Sequence, residues 1–220
     1  MSAIIETIKQ DWNVKIGNQV KEAPYLLIDN WYTPEEKKAI WLELDMYATQ
    51  PKIEKANNDN SPVATDTKGN AKSNAFRFHV WDYYTQKGQT MSPIMRAMYK
   101  QRSQDFKDIF CKAMPLHHNN FCNTNTDATF ISYYDKAKYY KPHCDSVQFS
   151  CLIWMFKEPK QFFGGNLKLP AANATIECVN NRMLMFPSYL QHEVTEIKSN
   201  DKIKMGYGRY CITHFYNWVS

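Results

Sequence analysis

From Ala128 onward, short apolar runs follow one another at regular spacing: ATFISYY, YYKPHCD, FSCLIWMF, GNLKLP, ATIECV, RMLMFPSY, HEVTEI and KMGYGRYCITHFYNW. Turn-forming pieces separate them, among them DKAK, KEPKQFFGG, AANA, VNN and KSND. Eight candidate strands within about 90 residues is the pattern of a β-sandwich or jelly roll. The first half reads differently. Leu26-Leu27-Ile28 is a short apolar strand. Thr33-Pro34-Glu35-Glu36 opens a helix that runs to about Tyr47: Thr33 caps it, Pro34 suits the first helical position and Glu36 completes a capping box. Residues 50–75 are polar, rich in Asn and Asp and free of aromatics. A loop of that length in a compact domain is typically a functional lid or a disordered segment, and it is the candidate lid here. Residues 76–84 (FRFHVWDYY) read as a strand. A second helix starts at Ser92-Pro93 and runs to about Met114, with Ile94, Met95, Met98, Phe106, Ile109 and Phe110 on its apolar face. Residues 115–127 form a polar connection. The expected organisation is a single, mainly β domain over 1–220. A helix-rich support at about 1–127 flanks a jelly-roll core at about 128–218.

Composition narrows the class. The 220 residues are 44% hydrophobic and 15% aromatic, which excludes a disordered or collagen-like chain. No apolar run approaches the length of a membrane helix. The first residues, MSAIIETIKQDWNVK, lack the apolar stretch and cleavage site of a signal peptide, so export is not expected. The net charge of +5 is mild, and the lysines are interleaved with acids rather than gathered in a basic stripe. That pattern makes a nucleic acid the less favoured partner. None of the six cysteines forms a C-x-x-C pair. Reduced thiols in a cytoplasmic setting are the simplest reading. The Lys- and Asn-rich composition fits an AT-rich genome, a virus and its host's cytoplasm among the possibilities.

The candidate chemistry sits in His143-Cys144-Asp145. Side chains at i and i+2 of a strand share a face, so His143 and Asp145 can reach one metal while Cys144 points away. Alone, H-x-D is a weak signal. His192 lies 49 residues further on, after a full strand, where a jelly roll brings a late strand back beside an early one. Two His and one carboxylate make the facial set of non-haem Fe(II) oxygenases. Arg209 lies on the last strand and shares a face with Cys211, Thr213 and Phe215, while His214 is on the other. Its planar fork can pair bidentately with a carboxylate. The His117-His118 pair has no evident third ligand and reads as a solvated loop, and His79 reads as structural.

In order along the chain stand Tyr133, Tyr140, His143, Asp145, Gly164-Gly165-Asn166-Leu167, Phe186-Pro187-Ser188, His192-Glu193-Val194 and Arg209-Tyr210. Over about 128–218 this series resembles the 2-oxoglutarate- and Fe(II)-dependent dioxygenases, in particular the prolyl 4-hydroxylase-like branch. The resemblance implies a double-stranded β-helix, cupin-like core. It implies Fe(II) held by His143, Asp145 and His192, with 2-oxoglutarate and O2 as co-substrates. Arg209 would clamp the distal carboxylate of 2-oxoglutarate and Tyr133 would bond it near its metal-chelating end. Thr213 would line the same pocket, and Trp154 falls where relatives carry a Tyr that touches the distal carboxylate. The expected reaction is hydroxylation of a substrate C–H, first of all in a prolyl residue of a peptide or protein, with release of succinate and CO2. Two departures stand out. Lys136 replaces a Gly between the two tyrosines. The 17 residues from His192 to Arg209 exceed the family's spacing and offer Lys202 and Lys204 as rival anchors. Other readings stay open: a non-catalytic jelly-roll binding module, or an oxygenase acting on a free amino acid or a nucleic acid. For the last, Arg77, His79, Trp81 and Tyr83 would alternate along one strand at the site mouth.

Overall fold

The computed structural model describes residues 11–17, 20–49, 54–55, 63–80, 84 and 91–219. Among them, fourteen strands and four α-helices run in the order β1 (Asn13–Gly17), β2 (Tyr25–Asp29), α1 (Pro34–Thr49), β3 (Glu54–Lys55), β4 (Phe76–His79), α2 (Pro93–Met98), α3 (Gln104–Ala113), α4 (His118–Cys122) and β5 (Thr126–Tyr134). Then follow β6 (Tyr140–His143), β7 (Phe149–Met155), β8 (Phe163–Gly164), β9 (Leu167–Leu169), β10 (Ala174–Ile176), β11 (Arg182–Pro187), β12 (His192–Val194), β13 (Ile197–Lys198) and β14 (Arg209–Asn217).

The strands form a main sheet in the order β1-β2-β11-β7-β14-β5-β4-β3 and a minor sheet in the order β10-β9-β12-β6. β13 pairs with β8 in a small ribbon. All pairings are antiparallel. The two sheets face each other as a double-stranded β-helix, and the helices cover the outer face of the main sheet.

Strand alternation sorts the core into two layers. Ile131, Tyr133, Ile153, Tyr210 and Ile212 turn towards the helices, where Phe106, Phe110 and Phe121 meet them. Phe110 stacks on Phe121 at 4.5 Å and meets Phe149 edge-on at 5.4 Å. Leu152, Trp154, Leu184 and Phe186 turn the other way, towards Leu167, Leu169 and Val194 of the minor sheet. Each such side chain contributes about 1.5–3 kcal/mol by burial.

The helix-rich first half supplies more sheet than its pattern suggested. β1 and β2 extend one edge of the main sheet, and β4 and β3 the other. The capping box forms as read: Glu36 N–H donates to Thr33 Oγ1 (3.2 Å), and Thr33 N–H donates to Glu36 Oε2 (2.9 Å). The single helix expected from Ser92 to Met114 divides into α2 and α3. Ser103 takes an extended backbone (φ −67°, ψ 155°), and its hydroxyl accepts from Phe106 N–H, capping a new helix inside the apolar repeat. Of the polar loop, residues 50–53 and 56–62 lie outside the described residues. Its described part, 63–75, is bound to β6. Lys141 N–H donates to Lys72 O (2.9 Å), Ala64 N–H donates to the Tyr140 hydroxyl (3.0 Å), and Ser73 bridges Tyr140.

Candidate metal and co-substrate site

β6 and β12 lie side by side with His143 opposite His192. Asp145 follows just past the end of β6, where its N–H donates to Ser188 O (3.1 Å). The ligand atoms of the three residues lie within 4.8 Å of one another. His143 Nε2 is 3.6 Å from Asp145 Oδ1, and His192 Nε2 is 3.4 Å from Asp145 Oδ2. Both imidazoles are aimed from behind. His143 Nδ1 donates to Lys141 O (2.8 Å) and His192 Nδ1 to Leu190 O (3.0 Å). A carbonyl accepts only from N–H, so the proton sits on Nδ1 and the Nε2 lone pair faces the cavity. Burial pushes the His143 imidazole down to about 3, helped by the neighbouring His192, so it is neutral at pH 7. Tyr140 lies flat on the His143 ring (3.5 Å, 12°), and Phe186 meets His192 edge-on at 4.8 Å. The Ser150 hydroxyl donates to Asp145 Oδ2 at 2.5 Å and lies 2.7 Å from the Ser188 hydroxyl. Two imidazoles and a carboxylate, aimed at one point, fit a divalent iron with coordination positions to spare.

The cavity they face lies between the sheets. β14 lines it with Cys211, Thr213 and Phe215, and β5 with Phe130, Ser132 and Tyr134. Arg209, two residues before Cys211, is fully buried at the inner end of this face. Its guanidinium carbon lies 4.8 Å from the Tyr134 ring and 5.5 Å from the Trp154 ring. None of its three nitrogens has an oxygen or nitrogen partner, and neither does the buried Trp154 Nε1; the Cys178 thiol lies beside the first and the Cys211 thiol beside the second. The groups acting on its charge are the thiols of Cys211 and Cys178 and the Tyr134 phenol, with no carboxylate among them. A buried cation left without a counter-ion costs several kcal/mol. A carboxylate delivered by a ligand removes that cost, so the distal end of 2-oxoglutarate fits here. Gly165 makes the close approach possible. Its φ is +68°, and a Cβ there would stand 2.9 Å from Arg209 Cδ and 2.5 Å from Ile197 Cδ1. Lys202 and Lys204 are exposed and line no part of the cavity.

Tyr133 is not brought to the cavity. β5 pairs with β14 so that Arg209 faces Tyr134 and Tyr210 faces Tyr133. Tyr134 therefore shares the site face, while Tyr133 packs 4.7 Å from Tyr210 on the helix side. Its hydroxyl accepts from Gly206 N–H (3.1 Å) and Gly208 N–H (3.0 Å) and donates to Lys204 O (3.4 Å). It holds the inserted segment that leads into Arg209. Cross-strand partners share a face, so it is the register of β5 against β14 that selects Tyr134, and alternation within β5 alone does not give it. Arg77, on β4 opposite Ser132, lines the cavity as well. The alternation along residues 77–83 offers it as a candidate, but no local pattern sets its strand beside β5. Trp81 and Tyr83 lie outside the described residues. His117 packs edge-on against Phe149 and His118 against Cys122, and neither joins the metal set. All six thiols are free. Among the described residues, no helix is long and apolar enough to cross a membrane.

Residues 128–217 match the model of a family described as the 2OG-Fe(II) oxygenase superfamily. No curated protein matches the chain. Among solved structures, a Pseudomonas putida prolyl-4-hydroxylase superposes with a TM-score of 0.58 at 12% identity, over 93% of this chain and 97% of that one. An oxidoreductase of the 2OG-Fe(II) oxygenase family from Burkholderia pseudomallei gives 0.54 at 11%, over 88% and 84%. Neurospora crassa T7H in complex with alpha-KG gives 0.52 at 13%, over 88% and 73%. At these identities the likeness is one of fold.

Proposed function

We propose that this chain is an Fe(II)- and 2-oxoglutarate-dependent oxygenase of the superfamily whose model its residues 128–217 match, and that it hydroxylates a prolyl residue of a peptide or protein. The observation that carries the oxygenase reading is the placing of two sites on one cavity. The ligand atoms of His143, Asp145 and His192 converge within 4.8 Å, as one metal ion requires, and the buried guanidinium of Arg209 faces no carboxylate of the chain. One molecule bearing a chelating end and a distal carboxylate completes both.

When bound, the iron supplies O2 activation coupled to the oxidative decarboxylation of 2-oxoglutarate to succinate. The chain's own residues do the rest. His143, Asp145 and His192 would hold the iron. Ser150 holds the carboxylate of Asp145. Arg209 orients 2-oxoglutarate through its distal carboxylate, with Trp154 Nε1 as a second donor and Thr213 on the wall between. Tyr140, Phe130 and Leu167 keep the cavity apolar and exclude water from the reacting centre. The prolyl assignment is supported by the series from Tyr133 to Arg209-Tyr210, which follows the prolyl 4-hydroxylase-like order, and by an apolar wall suited to a pyrrolidine ring.

The test is anaerobic. Fe(II) and 2-oxoglutarate added to the protein should give the weak visible charge-transfer band of the chelate. His143→Ala should abolish the band, and Arg209→Ala should weaken 2-oxoglutarate binding by about 10-fold or more. Admitting O2 with prolyl peptides should raise succinate release. A wild-type protein with no iron affinity would return the chain to a binding module. A chelate whose turnover responds to free amino acids or oligonucleotides, but not to prolyl peptides, would replace the substrate.

A further inference from the structure

A surface groove starts beside the loops that carry the metal ligands. One wall is the segment of Lys21 and Pro24, the other is the turn Pro115–His117 that joins α3 to α4, and the buried Met114 forms the floor. Leu116 stands on the rim at 84% exposure, the highest of any large apolar side chain among the described residues. A lone exposed leucine is ordinary, so its place is what matters. Tyr189 spans the two walls. Its hydroxyl donates to Glu22 O (3.1 Å), and its ring lies 6.1 Å from the His117 ring. Tyr189 directly follows Ser188, whose carbonyl accepts from Asp145 N–H. The groove therefore begins one residue and one ring contact away from the backbone that holds a metal ligand. Its walls are fixed in advance. His117 meets Phe149, the first residue of β7, edge-on at 6.1 Å, and Ala23 N–H donates to Val20 O (3.0 Å) across the opposite wall.

We propose that this groove receives an apolar side chain of a polypeptide substrate, on the stretch of chain that flanks the hydroxylated residue. The inference rests on the oxygenase reading above, with a peptide or protein as substrate. Continuity with the metal site leads to it. A polypeptide whose reacting residue enters the cavity has to continue over the surface, and the groove is a preformed apolar hollow on that surface. From Asp145 through Ser188 and Tyr189 to the His117 wall the path is at most about 20 Å, which about six residues of extended chain cover. A free amino acid ends inside the cavity and cannot span that path. A nucleic acid would need a row of cations to follow its phosphates, and the lining offers a single lysine, Lys21. The floor and the rim, Met114 and Leu116, instead suit an aliphatic side chain.

The experiment uses the full chain and two readouts. Fluorescein-labelled peptides carry a central proline in a Gly/Ser background, with one Leu placed about four to six residues to either side or with Ser in its place. Anisotropy gives their affinity. The charge-transfer band reports Fe(II) and 2-oxoglutarate in parallel, without turnover. The best-placed Leu peptide should bind wild type at least about 10-fold more tightly than its Ser counterpart. Leu116→Asp should erase that preference while keeping the band, the 2-oxoglutarate affinity and the binding of the Ser peptide. Leu116→Met should keep the preference, and neither change touches the core, since the side chain is exposed. Equal binding of all Leu and Ser peptides to wild type overturns the proposal. A Leu preference that survives Leu116→Asp overturns it too, and puts the anchor elsewhere. Sedimentation that shows wild type dimerising with concentration, and Leu116→Asp staying monomeric, overturns it in favour of a second copy of the chain. A Leu116-dependent preference without the band supports the groove as a polypeptide site and fails the oxygenase reading.

Discussion

At the scale of single residues, the site is aimed by groups that never touch a ligand. Ser150 and Ser188 are fully buried, and the Ser150 hydroxyl meets both the Ser188 hydroxyl and Asp145 Oδ2. A carboxylate oriented from behind binds metal with less loss of freedom. Ser150→Ala should therefore weaken Fe(II) affinity by about 10-fold or more while the fold is retained. An anaerobic titration followed by tryptophan fluorescence measures this, and an unchanged affinity would show that Asp145 needs no such support. Tyr133 is the complementary case. Its hydroxyl serves two backbone N–H groups in the segment before Arg209. Tyr133→Phe should cost about 1–3 kcal/mol of stability, since buried donors are left unpaired. The same variant should keep its 2-oxoglutarate affinity, because the ring lies on the helix side. A thermal melt beside a 2-oxoglutarate titration separates the two effects, and a large loss of affinity at unchanged stability would place Tyr133 in the pocket after all.

At the scale of elements, the main sheet is held together where early strands meet late ones. Arg182 of β11 grips Asp29 of β2 through Nε (2.5 Å) and Nη2 (3.0 Å). That bond, more than the nearby Lys15, keeps the Asp29 carboxyl below its usual range against the opposing effect of burial. A carboxyl whose folded pKa is depressed adds stability that is full above the unfolded value, near 3.8, and is lost as pH falls through the lower folded value. Asp29→Asn should thus flatten the acid side of the stability profile. Urea melts from about pH 5 to about pH 2 measure the slope, and identical slopes in both proteins would remove Asp29 from the account. Element boundaries were the least legible feature. Ser103 sits inside an apolar repeat that reads as continuous helix, and only its side-chain cap reveals the break. The run HEVTEI similarly divides into β12 and β13, which join different sheets.

At the scale of the whole molecule, the first 127 residues are more than a buttress. β2 pairs with β11, and β4 pairs with β5. Without them both flanks of the late strands would be open edges, and the helix-side layer of Ile131, Ile153 and Ile212 would face water. A fragment holding only residues 128–220 should fail to fold cooperatively, although it holds all three metal ligands and Arg209. Near-ultraviolet circular dichroism and a urea melt test this. A cooperative melt of that fragment would make the late half an independent unit.

What the sequence determined alone is what depends on local period. Strand alternation places His143 and Asp145 on one face, and it separates Arg209 and Thr213 from His214, because the side-chain period of a strand is a property of the backbone. The order of motifs marked His192 as their partner. What only the tertiary structure decided is which strands become neighbours. The cross-strand register chose Tyr134 over Tyr133 as the companion of Arg209. The pairing of β4 with β5 carried Arg77 from the early half of the chain into the cavity wall. Long-range pairing is set by the fit of whole faces in the core, and no window of neighbouring residues contains it.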